Sequence, residues 1–387
     1  MNRIYLDHTA TTPLDSRVLE EMAPYFTSKF GNASSIHAFG QEARAALDRS
    51  RDRIAGFLGA SSGEIIFTGS GTEADNFAIK GTARARRRLA GKDHILTAAA
   101  EHHAVLETCR SLEGEGFSVT YLPVNQSGMV SASAVREGIR PATALVSIMH
   151  ANNEIGTINP IGEISRVTRA EGIPLHSDAV QSFGKIQVNV EELGVDLLTI
   201  SAHKIYGPKG IGALYIRRGL EIESFIHGGA QERGRRAGTE NVPLAVGFSK
   251  AASIIMEERE AESRRLSSLR DEFRKILLER LQGILINGAV EPTLPHILNI
   301  SFDSKKIGID GESLLFNMDL SGIAVTSGSA CTSGNMEPSH VLLAIGRDAA
   351  TAKASIRFSM GRSTTMTDLR TAAGALEAIV GRIGTKP

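Results

Sequence analysis

Lys204 follows an apolar run, Val195, Leu197, Leu198 and Ile200, that reads as a buried strand. It precedes a Gly207-Pro208-Lys209-Gly210 turn that no helix continues through. A lysine at a strand end, fixed by rigid turn chemistry and preceded by Ser201 and His203, is placed to form a Schiff base. Its amine is a nucleophile once partly desolvated and held. The group it would hold reads as pyridoxal phosphate. In FTGSGTEADN (67–76) a strand ends at Thr68, Gly69 and Gly71 allow close backbone approach, and Thr72 opens a helix, so the first amides can take a phosphate. No Gly-Lys-Ser/Thr follows, which disfavours nucleotide hydrolysis. In IPLHSDAVQS (173–182) Asp178 stands just past a buried strand, where an unpaired carboxylate is costly. A protonated pyridine nitrogen is a suitable partner for it, and Gln181, three residues on, can donate to the cofactor's phenolic oxygen.

Two adjacent histidines, His102 and His103, fall at a helix start in AEHHAVLET (100–108). Imidazole can stack on a flat ring and shuttle protons near neutral pH. Adjacent rings do not easily share one metal ion, so no zinc site is expected. Cys331 lies in TSGSACTSGNMEPSH (326–340), a Gly/Ser/Thr-rich stretch without apolar periodicity, which predicts an exposed, mobile, reactive thiol. Cys109, among Leu106, Thr108 and Leu112 on a predicted helix, reads as core filler. ERGRRAGTEN (232–241) and SIRFSMGR (355–362) set arginines among small residues near turns, and arginine suits bidentate carboxylate recognition.

The elements that must position these groups alternate from Glu64 onward. Strands are predicted at 64–68, 93–97, 117–122, 143–149, 173–177, 195–200 and 211–216, with helices near 72–90, 103–115, 131–138 and 161–171. Such alternation predicts an α/β fold with a mainly parallel sheet covered on both faces and sites at the carboxyl ends of strands. Earlier helices are expected from Asp15 to about Thr27 and from about Gly40 to Leu58. Residues 243–282 carry a long helical pattern, expected to break once, leading to a smaller α+β unit with strands near 297–302, 323–326 and 354–359. The expected division is a large domain over 14–258 and a small one formed by 1–13 with 259–387.

The chain has 387 residues, enough for two cores, and its 43 basic and 43 acidic side chains cancel. That balance gives no drive for counterion release, so nucleic acid is not an expected partner. The run Arg84, Arg86, Arg87 and Arg88 reads as a solvated helix face. Two cysteines are too few for a disulfide scaffold and fit a reducing cytoplasm. The N-terminal MNRIYLDHTATTP lacks the apolar core of a signal peptide, and no apolar stretch approaches the length of a membrane span, so no membrane association is expected.

Taken together the strings resemble the cysteine desulfurases of the NifS/IscS type, in the class V aminotransferase family of fold-type I PLP enzymes. The likeness runs in order from YLDHTATTP (5–13) and GNASSIHAFG (31–40) to SIRFSMGR. RAGTENV (236–242) leans towards the nitrogen-fixation branch. The resemblance implies that Lys204 carries the cofactor, that Asp178 pairs with the ring nitrogen and Gln181 with the phenolic oxygen, and that His102 stacks on the ring. It implies that Gly71, Thr72, Ser201 and His203 hold the phosphate, with Thr239 reaching it from the neighbouring subunit of a homodimer. It further implies that Asn153 contacts the cofactor edge, that Asn32 and Arg357 bind the substrate carboxylate, and that Cys331 is the nucleophile.

The implied reaction takes sulfur from L-cysteine, leaving L-alanine and a persulfide on Cys331. The sulfur then passes to an acceptor or iron–sulfur scaffold protein. No resident metal is implied; Cys331 alone could contact a transferred iron–sulfur cluster. The chain departs from the family pattern at His8 and Ala33, and it ends about 25 residues after Arg362. That is shorter than the tail by which some members dock a scaffold, which leaves the acceptor open. Selenocysteine lyase, an aminotransferase, or a sulfur carrier that keeps the fold without the chemistry are the competing readings. The thiol at Cys331 speaks against transamination, and intact Lys204, Asp178 and His102 against a bare carrier. A nicotinamide dehydrogenase is disfavoured because no G-x-G-x-x-G opens a helix after a strand.

Overall fold

One short strand and then a broad sheet account for the strands in the first half of the chain. In this computed structural model the described residues are 3–328, 331–332 and 335–384, with the side chains of 331–336 outside the description. After β1 (Ile4–Tyr5) come β2 (Ile65–Thr68), β3 (His94–Ala98), β4 (Ser118–Leu122), β5 (Thr143–Ser147), β6 (Leu175–Asp178), β7 (Leu197–Ser201) and β8 (Gly212–Ile216). Six of these last seven are four- or five-residue runs buried at every position, as expected of strands with both faces covered; β4, at the sheet edge, is the partly exposed one. The sheet order is β2-β8-β7-β6-β5-β3-β4. Pairings from β4 through β7 are parallel, and β8 runs antiparallel to both β7 and β2. Two reversals in succession leave β2 pointing the same way as β7. The carboxyl ends of β2, β3, β5, β6 and β7 therefore share one edge of the sheet.

Helices Ala38–Leu58, Gly71–Ala90, His103–Glu113 and Ile161–Ala170 cover the sheet. One core forms around Ile54, Leu58, Phe67, Leu175, Leu198 and Tyr215, the other around Phe77, Ile95, Val105, Cys109 and Leu214.

The helix expected to break does not. Val242–Arg280 is continuous over 39 residues. Val242 to Ile255 pack on the first core, and Leu266, Phe273 and Leu277 pack on another built from β9 (Ile284–Asn287), β10 (Ile297–Phe302) and the later strand Ser355–Ser359. Between them Glu257 to Arg265 is almost bare of apolar residues, which hides the period, yet glutamate, arginine and alanine are good helix formers. Pairs such as Arg265–Glu262 at 2.8 Å support the turn there.

At the N-terminus β1 pairs in parallel with β11 (Ile323–Ala324). The stretch around Cys331 contains β12 (Cys331–Thr332) antiparallel to β13 (Asn335–Met336). Last, β14 (Ser355–Ser359) completes the antiparallel order β14-β10-β9.

Candidate active site

A cavity of about 420 Å³ opens along the shared carboxyl edge. Of the residues singled out in the sequence, Gly71, Thr72, His102, Asn153, Asp178, Gln181, Ser201, His203, Lys204 and Arg357 line it. They arrive from the ends of β2, β3, β5, β6 and β7 or the turns that follow, apart from Arg357, which comes from β14 in the second core.

β7 ends at Ser201, and one tight turn, Ala202–Lys204, aims the lysine inward. Tyr206 then takes a left-handed φ of 63°. Its amide donates to Thr12 Oγ1 at 2.7 Å and the Arg362 guanidinium lies over its ring at 4.4 Å, which holds this uncommon conformation. Lys204 Nζ donates to the carbonyls of Thr9 at 2.6 Å and Ala10 at 2.8 Å. Burial pushes its pKa down to about 8, Arg357 adds to the effect, and Asp178 and Asp7 oppose it. An amine in that range is available as a nucleophile near neutral pH.

Asp178 closes β6 with its Oδ1 accepting from the Val180 amide at 2.8 Å. Burial lifts its carboxyl to about 6. Behind it Asp75, on the second turn of helix Gly71–Ala90, is also raised, by burial first and by Asp178 next. Asp75 Oδ1 has no hydrogen-bond partner among the described residues; His176 Nε2 is 3.6 Å away. Two buried carboxyls so close favour a cation entering beside them.

Ser70 caps helix Gly71–Ala90, its Oγ accepting from the Glu73 amide at 3.0 Å, so free amides at this helix start face the cavity. Gly71 has no room for a side chain: a Cβ there would sit 2.9 Å from Val180 Cγ2. His203 Nδ1 lies 3.2 Å from Thr11 Oγ1 beside this cradle.

His102 caps helix His103–Glu113, and its Nδ1 accepts from the Ala104 amide at 3.1 Å. The neutral ring therefore carries its proton on Nε2. Burial, and then Lys204, push its pKa down to about 4. Glu101, fully buried, accepts from the Met149 amide at 2.8 Å and is raised by burial.

Arg357 donates to Asn153 O at 3.0 Å and to Asp7 Oδ1 at 2.9 Å. Its Nε and Asn153 Oδ1 are buried with no partner among the described residues. A buried amine, a raised carboxylate, free helix amides and two unpaired polar atoms form a donor set that fits pyridoxal phosphate: a covalent anchor, a ring-nitrogen partner, a phosphate cradle and edge contacts.

Three expectations fall elsewhere. Asn32 is not at this cavity; its Oδ1 accepts from the Ser34 amide at 2.9 Å in the loop before helix Ala38–Leu58. Thr239 lines a second cavity, of about 160 Å³, with Gly69, Glu232 and Arg236. The Cys331 thiol lies outside the described side chains. The sequence reading missed Asp7, Thr9, Ala10, Asp75, Glu154, Gly328 and His340, all at the cavity or bonded to Arg357. Asp75 was discoverable, being one turn after Thr72 on a buried helix face; the Thr9 and Ala10 carbonyls carry no residue-type signal.

The second cavity is braced by a buried pair. Arg51 donates to Glu232 at 2.6 and 2.8 Å, and Glu232 also accepts from the Phe67 amide at 3.1 Å. Glu232 and Arg233 hold left-handed φ values of 46° and 60°, so this ion pair fixes a strained turn beside β2. Arg51→Ala strands a buried carboxylate and is expected to lower unfolding free energy by about 3–5 kcal/mol in denaturant titration.

Residues 4–371 match the family described as Aminotransferase class-V, and the chain belongs to that family. Within it the likeness is to cysteine desulfurases: a cysteine desulfurase IscS of Dictyoglomus turgidum is 50% identical over 382 residues, covering 99% of this chain and 95% of the relative. A solved structure of a NifS-like protein superposes with a TM-score of 0.90 at 38% identity, covering 98% of this chain and 99% of that one. A structure of SspA in complex with cysteine gives a TM-score of 0.80 at 39% identity, covering 92% and 98%. The architecture is that of fold-type I pyridoxal phosphate enzymes.

Proposed function

We propose that this chain takes the sulfur of L-cysteine onto Cys331 and releases L-alanine. It is a pyridoxal-phosphate-dependent cysteine desulfurase. The observation that carries the reading is one cavity joining the Lys204 amine, the Asp178 carboxylate and the His102 ring at adjacent strand ends. When bound, pyridoxal phosphate supplies an electron sink that loosens bonds at the substrate's Cα and Cβ.

The rest is done by the protein. Lys204 would anchor the cofactor, and its amine, once free, is available to hold or move a proton beside the substrate. Asp178 holds a positive ring nitrogen, Gln181 faces the phenolic oxygen, and the amides of Gly71 and Thr72, with Ser201 and His203, take the phosphate. Arg357, which unlike Asn32 lines the cavity, receives the substrate carboxylate, and His102, neutral at working pH, is placed to stack and exchange a proton at Nε2. The Cys331 thiolate attacks the substrate Sγ. The S–S bond forms as Cβ–Sγ breaks, the electron pair stays with the carbon fragment, and protonation there gives alanine.

We assign Thr239, which lines the second cavity of its own chain, to the phosphate site of the neighbouring subunit in a homodimer. We assign residues 14–258 to the cofactor-binding domain and 1–13 with 259–387 to the smaller one. The persulfide sulfur goes to an acceptor such as an iron–sulfur scaffold protein. No helix among the described residues is long and apolar enough to cross a membrane, and we place the protein in the cytoplasm.

The test is product analysis. Equal amounts of alanine and sulfide form from L-cysteine with a reductant present. Without it, peptide mass spectrometry finds one added sulfur on Cys331. Cys331→Ala keeps the cofactor absorbance and stops turnover; brisk desulfuration by that variant overturns the assigned nucleophile.

A further inference from the structure

Glu154 takes no part in the chemistry above, yet its side chain is 2% exposed and it lines the cavity. The backbone around it is held by several hydrogen bonds. Asn152 Oδ1 accepts from the Glu154 amide at 2.8 Å and the Ile155 amide at 3.0 Å, while Asn152 Nδ2 donates to Ala100 O at 2.9 Å. Asn299 Nδ2 reaches Glu154 O at 3.1 Å, and Arg357 binds the carbonyl of Asn153 next to it.

From this platform the carboxyl touches the chain at two places that are distant from it in sequence. Ser339 Oγ donates to Glu154 Oε2 at 2.5 Å and in turn accepts from the Leu342 amide at 3.2 Å, capping helix His340–Ala344. Gly328 sits against the same oxygen at a left-handed φ of 86°, where a Cβ would lie 2.6 Å from Oε2. The conformation favours glycine, and a Cβ there would press on the Glu154 carboxyl. Gly328 stands three residues before Cys331 and Ser339 eight residues after it.

We infer that Glu154 is a positioning residue for Cys331, acting through its hydrogen bond to Ser339 and its packing against Gly328 on the other side of Cys331 in sequence. The inference rests on the reading of Cys331 as nucleophile. A buried carboxylate costs solvation, and here it accepts a hydroxyl hydrogen bond at the point where two distant backbone segments meet. Removing it frees both anchor points without touching Lys204, Asp178 or the phosphate cradle.

The experiment compares holoenzyme carrying Glu154→Ala, Glu154→Gln or Ser339→Ala. The readouts are kcat, KM for L-cysteine, cofactor absorbance, thermal midpoint and the iodoacetamide alkylation rate of Cys331 by peptide mass spectrometry. Cys109 serves as internal control, being buried with its thiol pushed up to about 12. Misplacing a reacting group by about 1 Å costs on the order of 100-fold in rate. Glu154→Ala is therefore expected to lower kcat at least about 10-fold and to change Cys331 alkylation severalfold, with KM and absorbance held. Ser339→Ala shifts both in the same direction by less, and Glu154→Gln, which can still accept from Ser339, restores most of the rate. Wild-type kcat and alkylation in Glu154→Ala overturn the inference. So does a loss of kcat accompanied by loss of cofactor absorbance in both Glu154 variants. Failure of the nucleophile reading looks different: Cys331→Ala would then turn over cysteine whatever the Glu154 variants do.

Discussion

Lys204→Ala is expected to lose the cofactor absorbance band and to lower turnover by more than about 10³-fold, since removing a covalent nucleophile removes the step that organises the rest. The geometry says why no neighbour substitutes. Among the cavity-lining residues Lys204 carries the only primary amine, and it is aimed by two carbonyl acceptors, Thr9 O and Ala10 O. The same environment predicts a pH response. Only the neutral amine attacks, and burial with Arg357 places its midpoint near 8 instead of 10.5. Cofactor uptake by the apoenzyme, followed by absorbance, should thus quicken as pH rises through about 8 and level off above it. A midpoint near 10 would show that the lysine is solvated in solution.

Asp178→Asn is expected to leave the cofactor weakly held and to slow turnover by roughly 10²-fold or more, the scale seen when one preorganised electrostatic contact is removed from a buried site. The amide keeps the shape, and its oxygen can still accept from Val180, so the fold should survive. What disappears is the charge that a protonated ring nitrogen requires. Burial already pushes this carboxyl to about 6 with Asp75 crowding it from behind, so its ionised form is poised to respond to a cation. Steady-state kinetics and equilibrium dialysis of the cofactor check both parts. Near wild-type kcat and cofactor affinity in Asp178→Asn would show that the ring is held from elsewhere.

Much of this was legible in the sequence for a physical reason. Strand ends carry turn chemistry, and turn chemistry is local, so Gly69-Ser70-Gly71, Asp178 and the Lys204 turn announce themselves. Each of the seven sheet strands lies within two residues of its expected place at both ends, because continuous apolar runs have few alternatives. The misreadings are non-local. The charged middle of Val242–Arg280 has no apolar face to show a period, so its continuity comes from two cores it spans together. The Thr9 carbonyl and the Glu154–Ser339 contact depend on which chain segments meet, and residue type carries no record of that. Asn32 and Thr239 share one character: neither reaches the Lys204 cavity of its own chain, so sequence strings alone name them without placing them.

The wall that Thr9 and Ala10 contribute to the Lys204 site, in a segment that begins with β1, bears on the order in which the protein is made. Tyr5 pairs with Ala324, and His8 Nδ1 meets the carbonyl of Ser359, 351 positions away, at 3.0 Å. At the ribosome the sheet carrying Lys204 can assemble as it emerges, with Gln181, His203 and Tyr206 bonding Thr9 and Thr12, but Tyr5 and His8 find their partners only when β11 and β14 have followed. A nascent chain therefore carries the cradle and Lys204 with an incompletely seated N-terminal wall between the emergence of β8 and that of β14. Closing so distant a contact is slow, so competence for the cofactor should arrive late, as a single event near the end of translation.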